Sequence, residues 1–179
     1  SSFLDHPALG PTDAYLTGYD FLIDEATAIS QTLRGLGLTV AGRINNSWTA
    51  DQFRTDVLNR TVAPGILSLN GHFAQDRFYP FVLPDLRAFE ILSASTSFSG
   101  TLGFSVGCHS GLNVPNSGLP GGQDIDWPEA FVARQAAWVG NTVYGYGDSD
   151  QIAYSERLMQ LFSQHLGDQL AMPLGQALV

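Results

Sequence analysis

The chain has 179 residues, 44% hydrophobic and 14% charged, which allows one sizeable buried core but hardly two. Its eight cations are all arginines against seventeen acids, and the net charge of -9 argues against a nucleic-acid partner, because phosphate binding depends on basic surface. No apolar run is long enough to span a membrane, and the single cysteine excludes an internal disulfide framework.

We therefore expect one globular domain over residues 1–179. A helical pattern is still running where the chain stops, so we interpret the chain as a domain excised from a longer protein. No spacing among the four histidines, the cysteine and the acids resembles a zinc site, and we expect neither a metal nor a cofactor. The acidic charge would attract a basic peptide as a partner.

Apolar runs predict five strands that alternate with helical periods along the chain. The predicted strands span residues 14–21, 38–44, 65–70, 101–106 and 137–147. A polar, proline-containing segment over residues 73–100 lies between the third and the fourth, and a further short strand is predicted within it at residues 89–92. A loop rich in glycine and proline follows the fourth strand.

The helices between these strands carry start signals. Asp24 is placed to cap the first helix, and Thr49 with Gln52 forms a capping box for the second. Asp126 and the early Pro128 predict the start of the next helix, and a last helix closes the chain. Strands separated by helices predict an α/β fold with a mostly parallel sheet, helices on both faces, and ligands bound at the carboxyl ends of the strands.

Two strand ends carry the residues that thiol chemistry needs. Gly71 and His72 follow the third strand, and Gly107 and Cys108 follow the fourth. A thiol needs a base or a positive neighbour to become a thiolate, and an imidazole can later protonate a leaving amine. Neighbouring strands lie about 4.8 Å apart, so we expect the two side chains to be within reach of each other.

Other histidines and a serine compete for these roles. His109 is adjacent to Cys108 and its side chain is expected to diverge from it, His165 fits the C-terminal end of a helix, and His6 lies near a chain end. Ser105 stands in a G-x-S-x-G pattern, which in hydrolases marks a strained turn between strand and helix. Here the strand continues past Ser105 into a loop, so the pattern favours a small residue inside a buried strand.

The strand ending in "NGH", the later one ending in "VGC" and the following "HSGLN" resemble the gingipain-like cysteine peptidases, in the clan of caspases, legumain, clostripain and separase. "YLTGYDFLIDEA", "AAWVGNTVYGYGDSD" and the final helix extend the resemblance over most of the chain. It implies a caspase-like three-layer α/β/α sandwich and a secreted or cell-surface endopeptidase acting on peptide or protein substrates. Carried over by position, Cys108 is the nucleophile and His72 the general acid/base.

The resemblance also implies positions for substrate recognition. Gly71, Phe73 and Gly107 are candidates for the oxyanion hole, although Phe73 stands where the clan usually has glycine. Asp20 is preferred over Asp24 as an acid that recognises Arg or Lys before the cut. A substrate is expected to lie along the fifth strand, where the candidate binding residues are Asn141, Tyr144 and Tyr146.

Two alternatives to a cysteine endopeptidase stay open from the sequence. One is a catalytically inactive caspase-like module with a binding or structural role, which the Phe73 departure favours. The other is a serine hydrolase that uses Ser105.

Overall fold

A computed structural model describes residues 12–114 and 125–168 of the chain. Its centre is a parallel sheet of five strands in the order β2-β1-β3-β7-β8, and a small antiparallel sheet has the order β4-β5-β6. The strands are β1 Asp13–Gly18, β2 Thr39–Ile44, β3 Ile66–Leu69, β4 His72–Ala74, β5 Arg77–Tyr79, β6 Leu86–Arg87, β7 Leu102–Ser105 and β8 Ala137–Gly140.

Helices connect the parallel strands, as the alternation in the sequence predicts. They are α1 Ile23–Gly35, α2 Ala50–Phe53, α3 Ala88–Ser93, α4 Trp127–Ala133 and α5 Tyr154–Asp168. A short 3-10 turn, Asp20–Leu22, precedes α1, and a π-helical turn, Arg54–Leu58, extends α2. The prediction of an α/β fold with a mostly parallel sheet is confirmed.

Two of the three predicted helix starts are confirmed. The Thr49 hydroxyl accepts the Gln52 N–H and the Gln52 side chain accepts the Thr49 N–H, and the Asp126 carboxylate caps α4 through the Glu129 N–H. The cap predicted at Asp24 is wrong, because the residue before α1 is Leu22 and Asp24 lies inside the first turn. The 3-10 turn after β1 leads directly into the helix, and no side chain caps it.

The strand predicted at residues 89–92 is wrong, since these residues belong to helix α3. Ala88 and Ile91 are both buried, which is a helical spacing, and the Glu90 carboxylate accepts the Arg87 N–H at the start of the helix. A four-residue apolar run does not distinguish strand from helix, so the neighbours on either side decided the outcome.

The fifth strand ends at Gly140 rather than at residue 147. Beyond it, the carbonyls of Asn141 and Val143 accept the N–H groups of Gly111 and His109 from the loop after β7. The chain therefore turns across the end of β7 instead of extending the sheet, and the predicted strand template over residues 141–146 is not present.

Each face of the parallel sheet carries its own core, because alternate side chains along a strand point to opposite faces. Helices α1 and α5 cover one face with mainly aliphatic residues, among them Ile29, Leu33 and Met159. Helices α2, α3 and α4 and the small sheet cover the other face with an aromatic core, which includes Trp48, Phe53, Phe73, Phe78, Phe98, Trp127 and Phe131.

His6, much of the glycine- and proline-rich loop and the tail beyond residue 168 lie outside the described residues. Within the described part of the chain, no helix has the length and apolar character needed to cross a membrane.

Candidate functional site

The two strand ends singled out from the sequence meet at one pocket. β3 leads through Asn70 and Gly71 to His72, and the neighbouring β7 leads through Val106 and Gly107 to Cys108. The pocket is small, about 20 Å³, which is room for about one water molecule. It is lined by Phe21, Leu22, Gly71, His72, Val106, Gly107, Cys108, Gly145, Tyr146 and Gly147.

Cys108 is half-buried and lies against the segment that follows β8. Its Sγ is 3.6 Å from the carbonyl oxygen of Gly145, a long thiol hydrogen bond. The Cys108 N–H has no hydrogen-bond partner within the described residues, whereas the Gly107 N–H donates to the Ser105 hydroxyl at 2.9 Å. The Gly107 amide is thus engaged within the turn, and the Cys108 amide is not.

His72 is half exposed, with 51% of its side chain accessible, and aromatic rings surround its inner side. Tyr19 and Phe21 pack edge-to-face on the imidazole, at centroid distances of 5.6 and 5.9 Å. The Tyr19 hydroxyl accepts the His72 N–H at 3.3 Å and donates to the Tyr79 carbonyl at 2.6 Å. Burial is the main cause that raises the pKa of Tyr19 to about 12, so it stays neutral and keeps donating to that carbonyl.

Asp20 lies beside this imidazole. One Asp20 carboxylate oxygen is 3.8 Å from His72 Nε2, and Asp20 does not line the pocket itself. Its backbone is left-handed, with φ 58°, and its N–H donates to the Asn46 side chain at 2.7 Å. Asp tolerates this conformation better than most residues, so the turn aims an acid at His72. Asp20 thus lies next to the histidine, and its recognition of Arg or Lys stays a prediction.

Phe73 explains why glycine stands at position 107. A Cβ on Gly107 would lie 2.3 Å from the Phe73 ring and 2.8 Å from the Gly71 carbonyl oxygen. Phe73 is buried, stacks on Phe78 at 4.2 Å and meets Trp127 edge-to-face. Phe73 therefore fills the aromatic core beneath the site, and the β7 end passes close over it.

Ser105 and His109 are placed differently from Cys108 and His72. Ser105 is fully buried at the end of β7, and its hydroxyl accepts the Gly107 N–H. His109 has φ 56° and packs edge-to-face on Tyr144 at 4.9 Å, and its buried Nδ1 has no partner within the described residues. Neither side chain lines the pocket, as expected from the sequence.

The residues predicted to bind substrate after β8 separate into three environments. The Asn141 side chain donates to the Val106 carbonyl at 2.6 Å and holds the end of β7, so it is engaged internally. Tyr144 is exposed and does not line the pocket. Tyr146 is exposed as well, but it does line the pocket beside Cys108.

Five pocket residues were missed from the sequence: Phe21, Leu22, Val106, Gly145 and Gly147. The glycines belong to "YGYGD", where two closely spaced glycines after an apolar run are a signal for close backbone approach. Across residues 12–114 and 125–168, no group of three or more His, Cys, Asp or Glu side chains is arranged to hold a metal ion.

Comparisons with protein-family models, with curated proteins and with solved structures found no match to this chain.

Proposed function

We propose that this chain is a caspase-like cysteine endopeptidase domain in which Cys108 is the nucleophile and His72 the general acid/base. The observation that carries the proposal is that the thiol and the imidazole leave adjacent parallel strands and line the same pocket. Acyl transfer needs a nucleophile, a proton donor and an oxyanion donor at one place. The free Cys108 N–H is the candidate for the third.

The reaction follows from these groups. The Cys108 thiolate attacks a peptide carbonyl carbon, and the Cys108 N–H stabilises the oxyanion that forms. His72 gives its proton to the departing amine as the carbon–nitrogen bond breaks, and water then hydrolyses the thioester. The Asp20 carboxylate lies beside this imidazole, 3.8 Å from His72 Nε2. Peptides with Arg or Lys before the cut are the first substrates to test, since the net charge is -9.

The environment of Ser105 favours the cysteine mechanism over the serine alternative. A serine nucleophile must be accessible and within hydrogen-bond reach of a base. Ser105 has no exposed surface, and its hydroxyl is engaged by the Gly107 N–H. Cys108 meets the access requirement because it lines the pocket.

Labelling with a thiol-reactive peptide probe tests the proposal. Because the chain has one cysteine, mass spectrometry reads any labelled thiol unambiguously as Cys108. We expect wild type to be labelled and to cleave Arg- or Lys-containing peptides, Cys108→Ala to lose both, and His72→Ala to lose about 10²- to 10⁴-fold in cleavage rate. His165→Ala is the matched control, since it is an exposed histidine on α5.

Two results would overturn the proposal. Full cleavage by Cys108→Ala together with loss in Ser105→Ala would favour the serine hydrolase. The inactive binding or structural module would be favoured if wild type is neither labelled by the peptide probe nor active on peptides. Cys108 must still react with a small alkylating agent in that experiment.

A further inference from the structure

Two buried glutamates lie on the opposite side of the pocket wall from Cys108. Glu25 is the third residue of α1 and Glu156 the third residue of α5, and both side chains have 0% exposure. Helices α1 and α5 pack against each other over the aliphatic face of the sheet. Neither glutamate lines the pocket or has a role in the proposed reaction.

Their hydrogen bonds are unequal. Glu156 Oε2 accepts the N–H groups of Asp148 at 3.1 Å and Ala153 at 3.2 Å, which ties the segment after β8 to the start of α5. Glu156 Oε1 and both oxygens of Glu25 have no partner within the described residues. Burying a charged carboxylate whose oxygens have no partner is costly, so burial favours the neutral form of Glu25.

The charged groups around this pair are all acidic. Asp24 on α1 and Asp148 in the segment after β8 act on the pair, and no arginine of the described residues forms an ion pair with it. Burial, then repulsion from Glu156 and Asp24, raises the pKa of Glu25 well above its ordinary value. Burial is also the main cause that raises the pKa of Glu156. When Glu25 is protonated, its negative charge no longer repels Glu156.

The pair is connected to the pocket through a stretch of four residues, Gly145 to Asp148, which we name the wall segment. Glu156 Oε1 lies 2.5 Å from where a Cβ on Gly147 would be, so only a glycine allows this contact. Gly145, Tyr146 and Gly147 line the pocket, and the Gly145 carbonyl is 3.6 Å from Cys108 Sγ. Whatever displaces Glu156 therefore displaces the wall against Cys108.

We infer that Glu156 is a positioning residue for the Cys108 pocket, holding the wall segment in place, and that Glu25 must stay protonated for Glu156 to do so. Ionised Glu25 would face Glu156 with no cation between them, and separating the two charges would move α1, α5 or the wall segment. The inference deepens the proposed function and rests on it for its meaning in catalysis. Both of its tests below are independent of peptide cleavage.

The first test is thermal unfolding between pH 4 and pH 9. A group with a raised folded pKa binds its proton more tightly in the folded state, so its contribution to stability is full below the unfolded pKa of about 4.3 and falls as pH rises toward the folded value. Glu25→Gln keeps the shape and removes the titration. We expect Glu25→Gln to match wild type near pH 4 and to exceed its Tm by about 3 °C or more at pH 8.

Glu129→Gln is the matched control, because Glu129 is the third residue of α4 on the other face of the sheet. Its Tm relative to wild type at each pH is the reference for a Glu-to-Gln change at this position of a helix. A Glu25→Gln variant that is destabilised by the same amount at every pH, or that tracks the control, would overturn the inference.

The second test measures alkylation of Cys108 by iodoacetamide, in which the thiolate forms a carbon–sulfur bond and iodide leaves. We expect the ratio of the Glu25→Gln rate to the wild-type rate to change with pH as Glu25 ionises in wild type. Glu156→Ala, measured below its Tm, is expected to react severalfold faster because the wall no longer covers the thiol. Identical pH profiles for wild type and Glu25→Gln, with an unchanged rate in Glu156→Ala, would refute the link to the pocket.

These results separate the inference from the proposed function. If Cys108→Ala keeps its peptidase activity while the Tm and alkylation profiles behave as expected, the proposed function fails and the positioning role of Glu156 stands. If Cys108 is the nucleophile but the Tm and alkylation profiles of Glu25→Gln match those of wild type at every pH, the proposed function stands and the positioning inference fails.

Discussion

The two faces of the parallel sheet bring different kinds of packing to the same pocket. The face that holds His72 is an aromatic core, in which Phe73, Phe78 and Trp127 lock the small antiparallel sheet in place. The face behind the wall segment is aliphatic, with the Glu25 and Glu156 pair buried at its rim. Aromatic packing does not titrate and a carboxyl pair does, so between pH 5 and pH 8 we expect the contribution of the aromatic core to stability to stay constant and that of the Glu25 and Glu156 pair to change.

The largest effect on the aromatic face is expected from Trp127→Ala. Trp127 is fully buried among Phe73, Phe78, Phe131 and Trp138. Truncation leaves a cavity, so we expect a loss of about 3–5 kcal/mol in the free energy of unfolding, equal at pH 5 and pH 8. Urea denaturation measures it, with exposed Val132→Ala on the same helix as control. A loss that varied with pH would break the distinction between the two faces.

Gly107→Ala tests the point where β7 crosses the aromatic core. The added methyl meets the Phe73 ring at 2.3 Å and the Gly71 carbonyl at 2.8 Å, and overpacking of this kind costs about 1–3 kcal/mol. Phe73→Leu in the same chain should recover part of that loss, because the ring is one of the two obstacles. A double-mutant cycle by urea unfolding measures the coupling. Strict additivity would show that Phe73 is not what requires glycine at this position.

Asp56 is a carboxyl on the aromatic face whose contribution to stability depends on pH in the opposite sense to that of Glu25. Its partial burial favours the neutral acid, but hydrogen bonds from Arg43 and Tyr15, each 2.8 Å, outweigh this and lower its pKa. Its stabilisation is therefore present above the unfolded pKa of about 3.9 and is lost as pH falls through the lower folded value.

We expect Asp56→Asn to cost about 1 kcal/mol at pH 7, since Arg43 is partly exposed, and to match wild type near pH 2. Chemical denaturation across pH measures the difference. Glu25→Gln and Asp56→Asn should thus give stability differences of opposite sign at neutral pH. Differences of the same sign would contradict the assignment of one raised and one lowered carboxyl pKa.

The smallest effect of the substitutions is expected from Asp20→Asn, which should change only kcat. Asp20 and His72 are 60% and 51% exposed and 3.8 Å apart, a geometry in which ion pairs contribute at most about 1 kcal/mol. We expect kcat for peptide cleavage to fall by no more than about fivefold with KM and Tm unchanged. A loss comparable to that of His72→Ala would make Asp20 an essential partner of the histidine. An increase in KM alone would instead indicate that Asp20 binds substrate.

Local sequence signals were reliable where the signal was itself local. The capping box at Thr49 and Gln52, the Asp126 cap and the five apolar runs predicted helices and parallel strands that the structure contains. The strand-end argument placed Cys108 and His72 at one edge, because carboxyl ends of parallel strands meet there. That argument needs only the order of elements, which periodicity supplies.

Tertiary contacts decided the rest. Residues 141–147 do not continue the strand, because the carbonyls of Asn141 and Val143 accept hydrogen bonds from Gly111 and His109. These two donors are distant in sequence. The position of Asp20 beside His72 depends on a left-handed turn that Asn46 holds. The Glu25 and Glu156 pair formed because two helix starts are packed together, and no pattern in either helix alone predicts a neighbour from the other. Apolar periodicity and helix caps predict most of the elements and the residues at the strand ends, because these signals are local. Packing decides which of those groups face one another, because the partners are distant in sequence.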